Sequence, residues 1–227
     1  MKKSLIITLT ALLSVFLLTS CGTTKKTAFP KMYEEEPLVM LVMPPINNSD
    51  NVEAKDYFYT TMSVPLAEAG YYVLPPAMTM ATLQRESAYD SEMFIDGNLS
   101  KFGSIFGADV AIFTIIKAWD KSVIGSRITI EIEYIFKSTK TNEVLYHRDA
   151  TIVCDTSTGA SSNNGLASLI ILAADALKTA ATDYIPIAVK CNKTALSDIP
   201  AGKYNAKHGA DGEESALATK VRLTTSQ

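Results

Sequence analysis

The sequence predicts an α/β fold: a single three-layer-like domain whose mixed sheet of about five strands is covered by helices. Three observations carry that prediction. Residues 38–43, 71–74 and 110–116 are continuous apolar runs, the pattern of strands buried on both faces beneath helices. Residues 52–70, between the first two runs, are helical in pattern, so the start reads strand, helix, strand, for which a parallel right-handed crossover is the default. Residues 127–137 then switch to strict alternation, and a turn followed by residues 144–154 makes an antiparallel hairpin.

Taken in order, Pro44 and Pro45 stop the first strand, and Asn47, Asn48, Ser49 and Asp50 form a polar loop. Residues 52–62 read as a helix. Ser63 is placed to cap a further short one, because Pro65 then falls in its first turn, where the missing N–H is harmless. Gly70 suits the position just past its end. Pro75 and Pro76 end the second strand, helices are expected at 79–86 and 99–106, and the third strand runs on to Trp119. In the alternating strand Ile128, Ile130, Ile132, Tyr134 and Phe136 share one face, while Arg127, Thr129, Glu131, Glu133 and Lys137 share a wet one. A Ser/Gly/Asn loop over 157–165 leads into a long helix at 166–184, with Leu166, Leu169, Ile170, Ala173, Leu177 and Ala181 as its buried stripe. Pro186 is expected to end that helix, and residues 187–189 to add an edge strand before Cys191. Beyond Pro200 aliphatic residues are few, and residues 200–227 read as an extended or disordered arm.

The amino terminus has a different job. Two lysines, an apolar run over residues 4–18 and small residues after it are the three parts of a secretory signal. The run is shorter than the roughly 20 residues a helix needs to cross a bilayer, so residues 1–20 are expected to be removed. Leu18-Thr19-Ser20-Cys21 resembles the lipobox of bacterial lipoproteins. That resemblance implies a diacylglycerol on the Cys21 thiol, cleavage just before it and acylation of the new amino group. Gly22, rather than an aspartate, looks like outer-membrane sorting in Gram-negative bacteria. Residues 21–37 are polar and without period, with the acid run Glu34, Glu35 and Glu36, and read as a lipidated tether. The α/β lipoprotein domain is then 38–199.

Removing twenty residues from 227 leaves 207 and, with Lys2 and Lys3 gone, takes the formal charge from −3 to −5. A mildly acidic chain with no basic cluster argues against nucleic acid as a partner. The two histidines, His147 and His208, offer no triad, metal cluster or acid–base pair. Gly103, Gly107 and Gly125 lack the spacing and the lysine of a phosphate-binding loop. An enzyme is not expected, and no catalytic, cofactor or metal residues are assigned. Glu131 and Glu133 share a face as paired catalytic carboxylates would, but opposite charges on a neighbouring strand, Arg148 among them, are the preferred explanation. Cys154 and Cys191 are either a disulfide, favoured by an oxidising periplasm and stabilising by about 4 kcal/mol in the chain-entropy model, or two buried thiols. Two recognition surfaces stand out: the loop over 44–51, because ligands of open α/β sheets gather at strand C-termini, and the edge or wet face of the hairpin. An exposed edge also leaves a homo-oligomer open.

Residues 57–76, with Thr60-Thr61-Met62-Ser63-Val64-Pro65-Leu66-Ala67-Glu68-Ala69-Gly70-Tyr71-Tyr72-Val73-Leu74-Pro75, look like the signature of an uncharacterised family of bacterial lipoproteins that includes a neisserial vaccine-candidate antigen. Residues 106–112, Ala118-Trp119-Asp120 and the hairpin over 134–146 are similar to it too, and the resemblance spans about 38–200. More distantly, the chain resembles the periplasmic domains of CsgG and LpoB and the amino-terminal domain of TolB. The resemblance implies a protein held to the outer membrane through lipid on Cys21, its domain in the periplasm, with exposure on the cell surface left open. It further implies an accessory of transport or secretion related to CsgG-type machinery, because family members are often encoded beside a CsgG-like lipoprotein, the implied partner. CsgG-like domains form rings, which adds to the case for self-association. A small-molecule or lipid carrier and a regulator of a cell-wall enzyme are the alternatives. No catalytic residues come with the family.

Overall fold

The computed structural model describes residues 22–122, 126–157 and 183–226. In chain order the elements are α1 (Lys25–Ala28), α2 (Pro30–Glu35), β1 (Val39–Val42), β2 (Ile46–Asn47), α3 (Ala54–Thr61), α4 (Ser63–Glu68), β3 (Tyr72–Val73), α5 (Pro76–Arg85), a 3₁₀ turn (Ser91–Met93), α6 (Ser100–Phe106), β4 (Val110–Ser122), β5 (Arg127–Ser138), β6 (Val144–Asp155), α7 (Tyr184–Ala195) and β7 (Lys220–Ser226).

The strands form one mixed, seven-stranded sheet in the order β3-β1-β4-β5-β6-β7, with β2 also on β4. β1 is parallel to β3 and β4, β4-β5-β6 is an antiparallel meander, and β7 lies parallel to β6. The two kinds of apolar pattern map onto two environments. On one face, Met40, Val42, Val110, Ile112 and the alternating Ile128 to Phe136 set pack against Phe58 of α3, Leu66 of α4 and Ile187 of α7. On the other face, Leu41, Met43, Ala111 and Phe113 are covered by Leu83, Leu99 and Phe102 around α5 and α6. The continuous runs β1 and the first half of β4 are therefore buried on both sides. β5 and β6 are buried on one, and their second face is half-exposed.

Gly70 (φ +91°) ends α4 in a conformation that favours glycine. It also lets the chain beyond Pro200 approach, for a Cβ here would stand 2.4 Å from the Asn205 amide nitrogen. The Gly202 amide then donates to Ala69 O at 2.8 Å.

Several expectations are corrected. The segment read as a tether over 21–37 is, in its described part, α1 and α2 packed on the domain. Phe29 and Met32, a helical step apart, enter the main core, and the Phe29 ring lies 4.5 Å from that of Tyr146. Two apolar side chains among many polar ones leave too weak a pattern to read. Pro186 does not end a helix: it sits in the first turn of α7, which the Asp183 side chain caps by accepting from the Ile185 amide at 3.0 Å. A proline in a first turn removes no helical hydrogen bond, so residues 187–189 are helix, not edge strand. Residues 200–226 are not a disordered arm either: they fold back through hydrogen-bonded turns and become extended only at their end, in β7, paired to β6 over Lys220–Ser226. Edge strands are held by main-chain bonds, which composition does not announce. β2 and β7 raise the expected five strands to seven. Ser63 opens α4 without capping it; Met62 continues α3 almost directly into α4. The helix expected at 166–184 lies, up to residue 182, outside the described residues.

Candidate functional site

The two recognition surfaces meet in the folded protein. After β1 the chain turns at Pro44, whose carbonyl accepts from Ser91 Oγ at 2.5 Å. The loop beyond is fixed by Asn47: its Nδ2 donates to Asn51 O at 2.8 Å and its Oδ1 accepts from the Ser49 amide and hydroxyl at 3.1 and 2.7 Å. β2 lies on β4 with Ile46 opposite Ile115. Ile46, Ile95, Ile115, Ile135 and Val144 line an open hollow of about 400 Å³, with Asn48, Glu92, Asp96 and Lys137 also lining it. Lys137 Nζ is tied down by Ile95 O at 2.5 Å. The loop after the first strand and the wet face of the hairpin thus make one surface, an apolar floor among charged and polar groups.

Further along the same strands the face becomes ionic. Lys117 Nζ lies 2.7 Å from Glu133 Oε2 and 3.2 Å from Asp149 Oδ1, and Glu133 Oε1 lies 2.7 Å from His147 Nε2. Burial pushes the Glu133 carboxyl up, but Lys117 and His147 outweigh it and hold it below the usual carboxylate range. For Lys117 burial acts downward, and Glu133 and Asp149 overcome it, so its pKa is raised. Both groups are therefore held charged. Glu133 serves as an ion-pair partner, and Glu131 points to solvent without joining it. The cation that balances Glu133 is Lys117, and the His147 ring shares a hydrogen bond with its other oxygen. Arg148, named for that role, lies on the opposite face.

There Arg148 is fully buried. Its Nη2 meets both oxygens of Asp198 at 2.6 Å, its Nε donates to Tyr146 Oη at 3.1 Å and Ala195 O at 3.2 Å, and its Nη1 donates to Ala218 O. Asp198 Oδ2 also accepts from the Leu217 amide at 2.7 Å. One guanidinium thus joins β6, the end of α7 and the segment before β7. A second node fastens the amino terminus: Lys25 Nζ bridges Asp211 at 3.1 Å and Glu214 at 2.9 Å, and Tyr33 Oη donates to Asp211 at 3.1 Å. Burial works against a charged Lys25, but Glu214 and Asp211 raise its pKa overall. A hollow of about 380 Å³ beside this node is lined by Lys25, Lys193, Lys207, Glu68, Asp211 and Glu214 among others. Each of these lysines is already paired with one of these carboxylates.

Cys154 on β6 and Cys191 on α7 are buried, unbridged and 3.8 Å apart at sulfur. The Cys191 thiol is pushed up by its contact with Cys154 and by burial. A bond needs about 2.05 Å, so a small approach closes it. In an oxidising compartment the pair is expected to be bridged. Thiol titration of denatured, acylated chain would then find no reactive thiol before reduction and two after; two before reduction would refute the bridge. Cys21 lies outside the described residues. Among the described residues no group of three His, Cys, Asp or Glu side chains is placed to hold a metal ion. No described helix is long and apolar enough to cross a membrane.

A model of the family described as "Putative lipoprotein GNA1162-like" matches residues 27–202. The chain belongs to that family. The GNA1162-like match begins within α1, inside the segment read as a tether, and ends at Gly202, before β7. Among curated proteins, "Putative lipoprotein NMB1124/NMB1162" of Neisseria meningitidis serogroup B is 27% identical over 154 residues, covering 66% of this chain and 70% of that protein. Among solved structures, lipoprotein GNA1162 from Neisseria meningitidis aligns with a TM-score of 0.47 at 22% identity, covering 64% of this chain and all of that one. A PelC dodecamer from Paraburkholderia phytofirmans aligns at 0.41 and 11% identity, over 73% of this chain and 89% of that one. The carboxy-terminal domain of LpoB from Salmonella enterica aligns at 0.39 and 12% identity, over 56% and 94%.

Proposed function

We propose that this lipoprotein is held by acyl chains on Cys21 to the periplasmic side of the outer membrane and works as a non-catalytic binding component of an envelope transport or secretion assembly, with a CsgG-like lipoprotein as the expected partner. The observation that carries the reading is the surface formed by the loop after β1 and the wet face of β4-β5-β6: an open apolar hollow beside a fixed ionic cluster, on a rigid sheet. An open floor of this kind suits a protein segment better than an enclosed small molecule, which is usually buried over most of its surface. The charges beside it are held in place by one another, as recognition surfaces require. Family membership supports the lipoprotein part of the reading.

The test is photo-crosslinking in intact envelopes from a probe residue at Val144, which borders the hollow and is 46% exposed, with the same probe at Lys101 on α6 as control. A single outer-membrane assembly protein captured from Val144 and not from Lys101 is the expected result. Capture of nothing, together with a small molecule that co-purifies with the chain, would replace this reading with carriage.

A further inference from the structure

We infer that the folded body is seated directly on the lipid surface, with no spacer between the anchor and the domain, and that it reaches only partners at that same membrane. This rests on the acylation of Cys21 proposed above. The observation is a short antiparallel zip between the amino-terminal segment and the returning carboxy-terminal one. The Ala216 amide donates to Thr23 O at 2.8 Å, the Lys25 amide to Glu214 O at 2.9 Å and the Lys26 amide to Gly212 O at 3.0 Å, and Thr24 bridges Ser215. Gly22 is the only residue between Cys21 and the first of these bonds. A chain advances at most about 3.6 Å per residue, so the Thr23 backbone lies within about 7 Å of the acylated residue. A free tether of sixteen residues would instead have reached over about 55 Å.

The zip is not a spacer waiting to open. Peeling it away would strip Lys25 from Asp211, whose side chain is wholly buried, take the Tyr33 hydroxyl from the same carboxylate and draw Phe29 and Met32 out of the core. Thr23, Lys26, Glu213 and Ser215, the exposed residues around it, are small or charged. They suit the polar headgroup layer and offer no large apolar side chain to bury in the hydrocarbon. A domain of about 200 residues is only about 40 Å across. Its recognition surface therefore stays within that height of the membrane, and a partner must come to it there.

The experiment uses the acylated chain in phosphatidylethanolamine and phosphatidylglycerol vesicles that carry a headgroup nitroxide. A fluorophore is attached at Glu213→Cys or at Val52→Cys, Val52 being 86% exposed and at the opposite end of α3 from the hollow beside Lys25; the buried Cys154 and Cys191 do not take the label. Quenching at residue 213 is expected to be at least threefold stronger than at residue 52, and ten Gly-Ser pairs inserted between Gly22 and Thr23 should abolish the difference. Equal quenching at the two positions in the uninterrupted chain, with acylation confirmed by mass, would overturn this inference and leave the anchor standing. An amino terminus without acyl groups would overturn the anchor, and the seating with it.

Discussion

Replacing Arg148 by alanine is expected to destabilise the domain by about 3–5 kcal/mol, the range for removing one partner of a buried ion pair. The cost arises mainly from what stays behind. Asp198 is left without its cation in a site screened from water, while Ala195 O and Ala218 O lose a donor. Arg148→Lys should recover little, because an ammonium cannot present the planar fork that meets both oxygens of Asp198 while serving Tyr146 and the two carbonyls. Arg148→Met combined with Asp198→Leu should cost less than the sum of the two single changes, since no unpaired charge remains. It should not be neutral, because the Leu217 amide loses its acceptor. Urea midpoints measure all five variants, the two single changes of the cycle included. Hydrogen exchange should quicken first in residues 217–226, which the guanidinium holds to β6. A midpoint for the alanine variant within error of the parent would mean that the node contributes nothing to stability.

Changing Cys21 to serine is expected to release or mislocalise the protein while leaving its fold intact. One acyl chain alone gives only reversible binding, with an association constant of about 10⁴ M⁻¹, and each further chain adds about 0.8 kcal/mol per buried CH₂. Loss of all of them moves the protein from firmly held to soluble. The fold should not notice, since the first main-chain bond among the described residues is made at Thr23. Fractionation, incorporation of labelled palmitate and the thermal midpoint of the domain read the three parts separately. Undiminished palmitate with unchanged fractionation would refute the anchor; a lowered midpoint would refute the separation of anchor from fold.

The legible parts of the chain were those in which a periodic pattern meets one environment. β1 and the start of β4 show continuous apolar runs because both faces are covered, and β5 alternates because one is not. Gly70 marks a helix end because it adopts positive φ there. The candidate surface was half legible. The loop after β1 and the hairpin face were each readable, but their convergence through Ile46 beside Ile115 depends on β2, a two-residue strand after a pair of prolines. The ionic cluster was read as opposite charges on neighbouring strands, which it is, but Arg148 among the candidates is not one of them, because the β-bulge between Ile116 and Ala118 and the strand register decide which charge faces Glu133. The two buried nodes were not legible at all. Arg148 with Asp198 and Lys25 with Asp211 each join residues 50 or more positions apart, a distance at which no local pattern exists.

What the residues determined by themselves is the α/β class, the meander and the apolar faces, all of which follow from short-range periodicity and composition. What only the tertiary structure decided is that residues 22–36 and 200–226 belong to the folded body. Residues 22–36 and 200–226 carry too little apolar area to declare a core, and they are ordered by each other, through a zip of main-chain bonds and the buried Asp211 carboxylate, which finds Lys25 only when the chain has closed.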